Sequence, residues 1–383
     1  METLSAFEIF VQIIFRFWPV WFALAVVGTV SWTYRRRLGL YGQLYDSGVG
    51  IAGLFFCGFW LFTALFADIV ALFDPLQQIA IMKNAAPGAI EPASGSSFLL
   101  GGDKLARDVF SRMVYGSQIV LIIAPAATAF ALMVGITLGL PAGYYGGRID
   151  AVLSFLANLV LAFPVILLFY LLVTPGITDT PIPYAMAALF FIFPIIFFVT
   201  LFWQRYQARP QLMWIQIALT VLIGGWVFIG LVFDADPLGI ISISPNELNI
   251  FVAVVFASSP GVFRIVRGLV MDIKTRDYVA AAQTRGESPW YIMLWETLPN
   301  ARGPLIVDAC LRIGYTTILL GTLGYFGLGM APESPDWGTA IKDGSQLLRL
   351  TPWPAIIPAI ALMSFVLGLN LLADALREES LKD

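Results

Sequence analysis

Apolar runs of about 20 residues, the length an α-helix needs to cross a bilayer, recur along the chain with short polar joints between them. They occupy residues 11–33, 49–72, 118–140, 151–173, 184–203, 212–233, 249–271, 304–326 and 353–372. Basic residues gather in alternate joints: Arg35, Arg36 and Arg37 after the first run, Arg205 and Arg209 after the fifth, and Arg264, Arg267 and Lys274 near the end of the seventh. Short Lys- and Arg-rich joints stay in the cytoplasm, so the pattern predicts nine spans, with Met1 outside and Asp383 inside. Pro164 should bend the fourth span. Ser258-Ser259-Pro260-Gly261 should interrupt the seventh and face protein or a water-filled path rather than lipid.

Two joints carry a pattern of their own. In 277–300, Asp277 should cap a short helix and suit its positive N-terminal end, and Gly286 is a left-handed stop after it. At 100° per residue, Tyr278, Ala281, Ala282 and Arg285 share one face, and Val279, Ala280, Gln283 and Thr284 the other. Ser288-Pro289 restarts a helix, Leu298-Pro299 ends it, and the product is a bent pair presenting a small-residue patch. The second joint, 74–115, ends in Leu100-Gly-Gly-Asp-Lys-Leu-Ala-Arg-Asp-Val-Phe-Ser-Arg112. Residues 103–115 read as a capped amphipathic helix on the outer surface. Its charges (Asp103, Arg107, Asp108, Arg112) point up, and Val109, Phe110 and Met113 point toward lipid or protein.

Composition narrows the class. Of 383 residues, 59% are hydrophobic and 12% charged, which no soluble domain matches, so the chain is an all-α polytopic membrane protein. A net charge of −3 gives no case for a nucleic-acid partner. There is no histidine, and Cys57 and Cys310 both lie in apolar runs, so neither a metal site nor a disulfide framework is expected. The first run leads into Arg35–Arg37 rather than a small-residue cleavage site, so no cleavable signal is expected. Asp308 and Arg312, four apart in the eighth run with the acid first, suit an i,i+4 pair. That pair either orients its helix or lines a transport path.

The 277–300 joint resembles the cytoplasmic "EAA" loop of ABC-importer permeases, whose fixed points fall here on Ala281, Ala282, Gly286, Leu298 and Pro299. Asn300 extends the match to the dipeptide/oligopeptide/nickel branch, and Ala280 stands where that family usually has Glu. The 100–112 segment is similar to the branch's "LGTDxxGRDxxSR" element through Gly101, Asp103, Arg107, Asp108, Ser111 and Arg112, with Gly102 in place of Thr and Ala106 in place of Gly. Gly143-Tyr-Tyr-Gly-Gly147 resembles its "GYYGG" turn. Gly327-Leu-Gly329 with Ser334-Pro-Asp-Trp-Gly338 resembles its "FLGLG…P-x-WG" connection, and Asn370–Arg377 its C-terminal "NLLGDGLRD". The resemblance covers about 49–173 and 249–378, and leaves out 1–33 and 184–233.

The resemblance implies a type I ABC-importer permease core of six helices within 49–383, with an extra N-terminal span and basic loop in 1–48 and a helical hairpin inserted at 184–233. It implies a coupling helix in which Tyr278, Ala280, Ala281, Ala282, Gly286, Leu298, Pro299 and Asn300 meet an ATPase subunit. The implied partners are a homologous second permease, two ATPase subunits, an extracytoplasmic solute-binding protein and membrane lipid. The implied cargo is a peptide or a related small solute such as a nickel chelate, and the implied location is the cytoplasmic membrane of a bacterium or archaeon. ATP and Mg would sit on the partners, since this chain carries no Gly-x-x-x-x-Gly-Lys-Ser/Thr loop and no cofactor of its own is expected. For 103–112, a structural elbow and a substrate-facing surface both fit. A secondary transporter or an intramembrane enzyme working without an ATPase is the alternative. The first needs midplane ionisable residues and the second a nucleophile, base or metal set. The two apolar additions, both aromatic-rich, read as peripheral helices facing lipid or an accessory subunit.

Overall fold

The computed structural model describes residues 3–93, 95–173, 180–233, 235–236, 238–239, 245–328 and 333–380. Met1, Asp383, Gly329 and most of the 234–244 joint, all of which entered the sequence reading, lie outside these. Among the described residues seven helices are long and apolar enough to cross a membrane, or nine if each of two bent helix pairs is one span. The chain divides into two compact units, Met1–Pro125 with Cys310–Asp383, and Ala126–Ala309. Both divisions fall inside long helices.

In the first unit, α1 (Ala6–Arg16) and α2 (Trp18–Tyr34) meet at a 52° bend, so the first apolar run is a broken pair rather than one straight span. Helix α1 is capped by Ser5 and Glu8 acting on each other's backbone, and Arg16 donates to the carbonyls of Val70 and Ala71 at 2.8 Å each. That arginine satisfies carbonyls at the end of the helical stretch that begins as α3 (Gly48–Leu65), which the chain itself leaves without partners. Phe17 buries against Phe59 and Phe110. The long α13 (Trp353–Ser380) packs along α3, where Gly53 comes so close that a Cβ would meet the Leu372 amide nitrogen at 2.8 Å. A two-stranded hairpin, Ala89–Ile90 with Ser97–Phe98, buries Phe98 against Met82 and Phe73.

The second unit holds most of α4 (Val109–Tyr145), then α5 (Gly147–Ala162), α6 (Val165–Val173), α7 (Ile182–Arg205), α8 (Pro210–Phe233), α9 (Pro245–Ile273) and α10 (Asp277–Thr284). The 78° bend between α5 and α6 falls at Pro164, as its ring requires. Helix α9 is the most enclosed of the spans, and α4 lies against it through a glycine ladder, Gly135, Gly139 and Gly143. A Cβ at Gly139 or Gly143 would meet the Cβ of Val266 or Val270 at 2.8 or 2.7 Å, and one at Gly135 would run into Val262. Small residues every fourth position are how helices approach closely in a bilayer, where no hydrophobic effect drives them together. At the end of α4 the Gly146-Gly147 turn brings Asp150 to Arg267, and Lys274 donates to the Gly143 carbonyl at 2.8 Å.

Two expectations about these helices need correction. The Ser258–Gly261 stretch does not interrupt α9, which runs unbroken with Pro260 inside it. Its burial is as expected: Ser259 and Pro260 are enclosed by protein. Helix α7, read as a peripheral addition, is not free of the core. It packs on α9 through Phe191 against Phe251 and Phe190 against Phe256, while most of α7 and of α8 is sparsely buried, as in lipid-facing helices.

Candidate functional site

The 277–301 segment is built as a seated loop. Arg276, not Asp277, occupies the N-cap of α10, with no side-chain cap bond, and Asp277 sits in the first turn where it complements the helix dipole. The C-terminal end closes as the sequence predicts. Gly286 has φ +78°, its N–H reaches the Gln283 carbonyl at 3.0 Å, and the Glu287 N–H reaches the Ala282 carbonyl at 3.3 Å.

The faces of α10 differ from the expected ones. Val279 and Ala282, three apart, are fully buried, while Ala280, Ala281, Gln283, Thr284 and Arg285 are exposed. Ala282 therefore belongs to the chain's own core, beside Ile292 and Met293, and the exposed small-residue surface is Ala280, Ala281 and Thr284. The wheel gave correct angles but could not say which arc turns inward. Val279 is the wholly apolar side chain of the helix that enters the core, while the Tyr278 ring stays partly exposed.

Ser288 caps the restart by accepting from the Tyr291 N–H at 3.3 Å, with Pro289 at the first position, both as expected. Pro299 does not end the helix. The backbone widens to a π-helix over Ile292–Thr297, tightens to a 3₁₀ turn over Pro299–Ala301, and runs on into α11 (Arg302–Phe326). The physical reason lies in the ring of Pro299, which cannot donate and crowds the carbonyl four residues back. The Leu298 N–H bonds instead to the Met293 carbonyl at 3.0 Å, and Asn300 Nδ2 donates to the Glu296 carbonyl at 2.6 Å. Asn300 is thus a local repair to the helix. Around the bend, Arg285 pairs with Glu296 at 2.9 Å.

The 100–112 segment departs most from the reading. Residues 103–108 are a tight turn, the helix begins only at Val109, and the four charged residues are buried rather than turned up. Asp103 Oδ1 accepts from the N–H groups of Leu105 and Arg107 at 2.8 and 2.9 Å, which folds the turn. Ala106, at the family's usual Gly, is held at φ +61°. Arg107, 1% exposed, bonds Asp103 at 2.7 Å and Asp343 at 3.0 Å, and Lys104 reaches Asp343 at 3.0 Å.

Arg112 donates to the Ser334 carbonyl at 2.9 Å, and Trp337 Nε1 to the Met113 carbonyl at 2.9 Å. The two segments that resemble separate family elements, 100–112 and 334–338, are therefore one clasp, completed by α12 (Trp337–Ser345). Asp108 Oδ2 accepts from the Ser111 amide and hydroxyl at 2.8 and 2.7 Å, while among the described residues its Oδ1 has no hydrogen-bond partner. Burial pushes its carboxyl up to about 6. Asp336, which caps α12 through the Thr339 N–H, is also raised by burial. The absence of a 3.6-residue apolar stripe across 103–108 was the available signal against a helix there.

Asp308 and Arg312 lie one turn apart on α11, both half-buried. Among the described residues, no three His, Cys, Asp or Glu side chains gather where they could hold a metal.

Comparison with known proteins sets this geometry in a class. Residues 211–379 match the family described as "Binding-protein-dependent transport system inner membrane component". That match takes in α8, which the motif reading had left outside. Over 349 residues the chain is 27% identical to the di/tripeptide transport system permease protein of Pseudomonas aeruginosa, covering 91% of this chain and 93% of that protein. It is 27% identical over 310 residues to the dipeptide transport system permease protein of Alkalihalophilus pseudofirmus, covering 81% and 80%. It is 28% identical over 283 residues to the glutathione transport system permease protein of Pectobacterium atrosepticum, covering 74% and 72%. Over most of its length the chain is similar to multi-pass inner-membrane permeases of binding-protein-dependent import systems, which are transport subunits rather than enzymes. Within that class its similarity is to permeases of the peptide-type systems.

Proposed function

We propose that this permease carries peptides or a related small solute, such as a nickel chelate, into the cytoplasm, and that 277–301 is where ATP hydrolysis by a partner drives it. The observation that carries the reading is the loop's two-sidedness. Val279 and Ala282 lock α10 to the chain's own core, and Ala280, Ala281 and Thr284 offer a surface with almost no side chain, onto which a partner's cleft can close. Tyr278 flanks that surface, Gly286 sets the exit, and the Leu298-Pro299-Asn300 bend carries displacement into α11. The peptide cargo rests on the names of the similar proteins.

In this reading the assembly holds a second, homologous permease, two ATPase subunits that bind ATP and Mg, and an extracytoplasmic solute-binding protein. The loop lies in the cytoplasm with the C-terminus, the N-terminus lies outside, and the clasp faces the binding protein's side. Asp308 and Arg312 form a pair that orients α11. A double-mutant cycle on thermal stability tests this, and additivity of the two alanine changes counts against it.

Ala281→Arg places a long charged side chain on the docking surface without touching the core. The variant should insert and fold like the wild type, while the ATPase subunits fail to co-purify with it. Ala282→Arg should instead disrupt the loop itself, lowering the thermal midpoint as well. Normal ATPase association in Ala281→Arg removes the coupling assignment.

A further inference from the structure

The inserted helix α7 touches the coupling segment, and it does so where that segment is weakest. A π-helix replaces the usual bonds over Ile292–Thr297, and Ser288 at its entrance relies on one side-chain cap. The end of α7 meets both points. Gln204 Oε1 accepts from the Ser288 hydroxyl at 2.9 Å, which leaves the Ser288 oxygen free to accept from the Tyr291 N–H. The Arg205 guanidinium lies over the Trp295 ring, 4.6 Å from its centre, inside the π-helix and four residues before Pro299. One and two turns earlier on α7, Leu201 and Phe197 pack on the same core that holds Val279 and Ala282. Glu296, the next residue, is held from the loop's own side by Arg285.

We propose that α7 is a strut for the coupling segment and that Arg205 and Gln204 are positioning residues for the transport cycle. This rests on the reading of 277–301 as the coupling element. The π-helix lies between the partner-facing α10 and the membrane helix α11, and a compliant link there would absorb displacement instead of passing it on. Arg205 and Gln204 stiffen that link from outside. A cation over an indole tolerates sliding of the ring, because the attraction depends on distance to the face rather than on one directed bond. The contact can therefore persist while the segment moves.

The test uses the full complex, both permeases with the ATPase subunits and binding protein, in liposomes. Backbone hydrogen exchange is read over 288–298, with ATP-driven uptake of trialanine as the probe cargo. In the paired variant Arg205→Ala with Gln204→Ala, exchange in 288–298 should quicken by about two- to fivefold. Maximal uptake should fall by a similar factor at an unchanged half-saturating concentration. Arg205→Lys, which keeps a cation over the ring, should restore most of both. Unchanged exchange in the paired variant overturns the strut, and so does a lysine variant that behaves like alanine. If Ala281→Arg abolishes ATPase association while the paired variant exchanges like wild type, only the strut falls. If Ala281→Arg associates normally, the coupling reading falls as well.

Discussion

The clasp and the 277–301 loop both carry family-like motifs, both are dense in charge, and they use it in opposite ways. In the clasp, Arg107 and Asp103 are buried, each charge meets another, and the result ties 100–112 to 334–346. In the loop, Arg285 and Glu296 pair partly in solvent, where such a pair contributes little, and the buried residues are Val279 and Ala282. A motif made of buried paired charges marks a place the fold cannot lose. A motif made of exposed small residues over an apolar seat marks a place something else can grip. Motif density alone does not separate the two, and burial does.

The sharpest way to break this contrast is Arg107→Ala. Removing the guanidinium takes away the cation that Asp103 and Asp343 share. Lys104 still pairs with Asp343 and Arg112 lies 3.9 Å from Asp103, so the cost is about 3 kcal/mol, the low end for breaking a buried pair. The thermal midpoint of the purified chain should drop sharply. A wild-type midpoint means the clasp is a surface feature after all.

A smaller effect follows from Asp108, whose folded carboxyl titrates at about 6 against an ordinary 3.8. Between those values the folded chain holds a proton that the unfolded chain has lost. The stabilisation is therefore fully present below pH 3.8 and is lost as pH rises through 6, a change of about 3 kcal/mol at most. Midpoints measured at pH 5 and 7.5 should show the chain more stable at pH 5, and Asp108→Asn should remove most of that difference. A slope of the opposite sign, or an Asn variant with the wild-type slope, assigns the pH dependence elsewhere.

The smallest effect is Ala106→Gly. Ala106 sits at φ +61°, where a Cβ crowds the following carbonyl, so glycine should stabilise the clasp by about 1 kcal/mol. A destabilised variant would mean that packing of the buried Ala106 methyl outweighs the strain.

The apolar runs, the alternation of basic joints, the bend at Pro164, the left-handed Gly286 and the Ser288 cap were all legible in the sequence, because each follows from local rules. An apolar run of about 20 residues must be satisfied in a bilayer, a proline must bend its helix, and a glycine alone takes positive φ without strain. The Gly135, Gly139 and Gly143 ladder was legible too, as a four-residue spacing, and was missed.

What tertiary structure decided is every question of which side faces what. Ala282 turned inward because Val279 beside it had a core to enter. The charges of 103–112 turned inward because Asp343 and the Ser334 carbonyl, more than two hundred residues away, were there to meet them. Pro299 continued a helix because a π-helix and Asn300 could absorb it, and the end of α7 came to rest on the 288–298 segment because Trp295 lay under Arg205. Local sequence sets the conformations a segment can adopt, but the partner that makes burial of a charge or a face favourable comes from elsewhere in the chain, and only the fold brings it there.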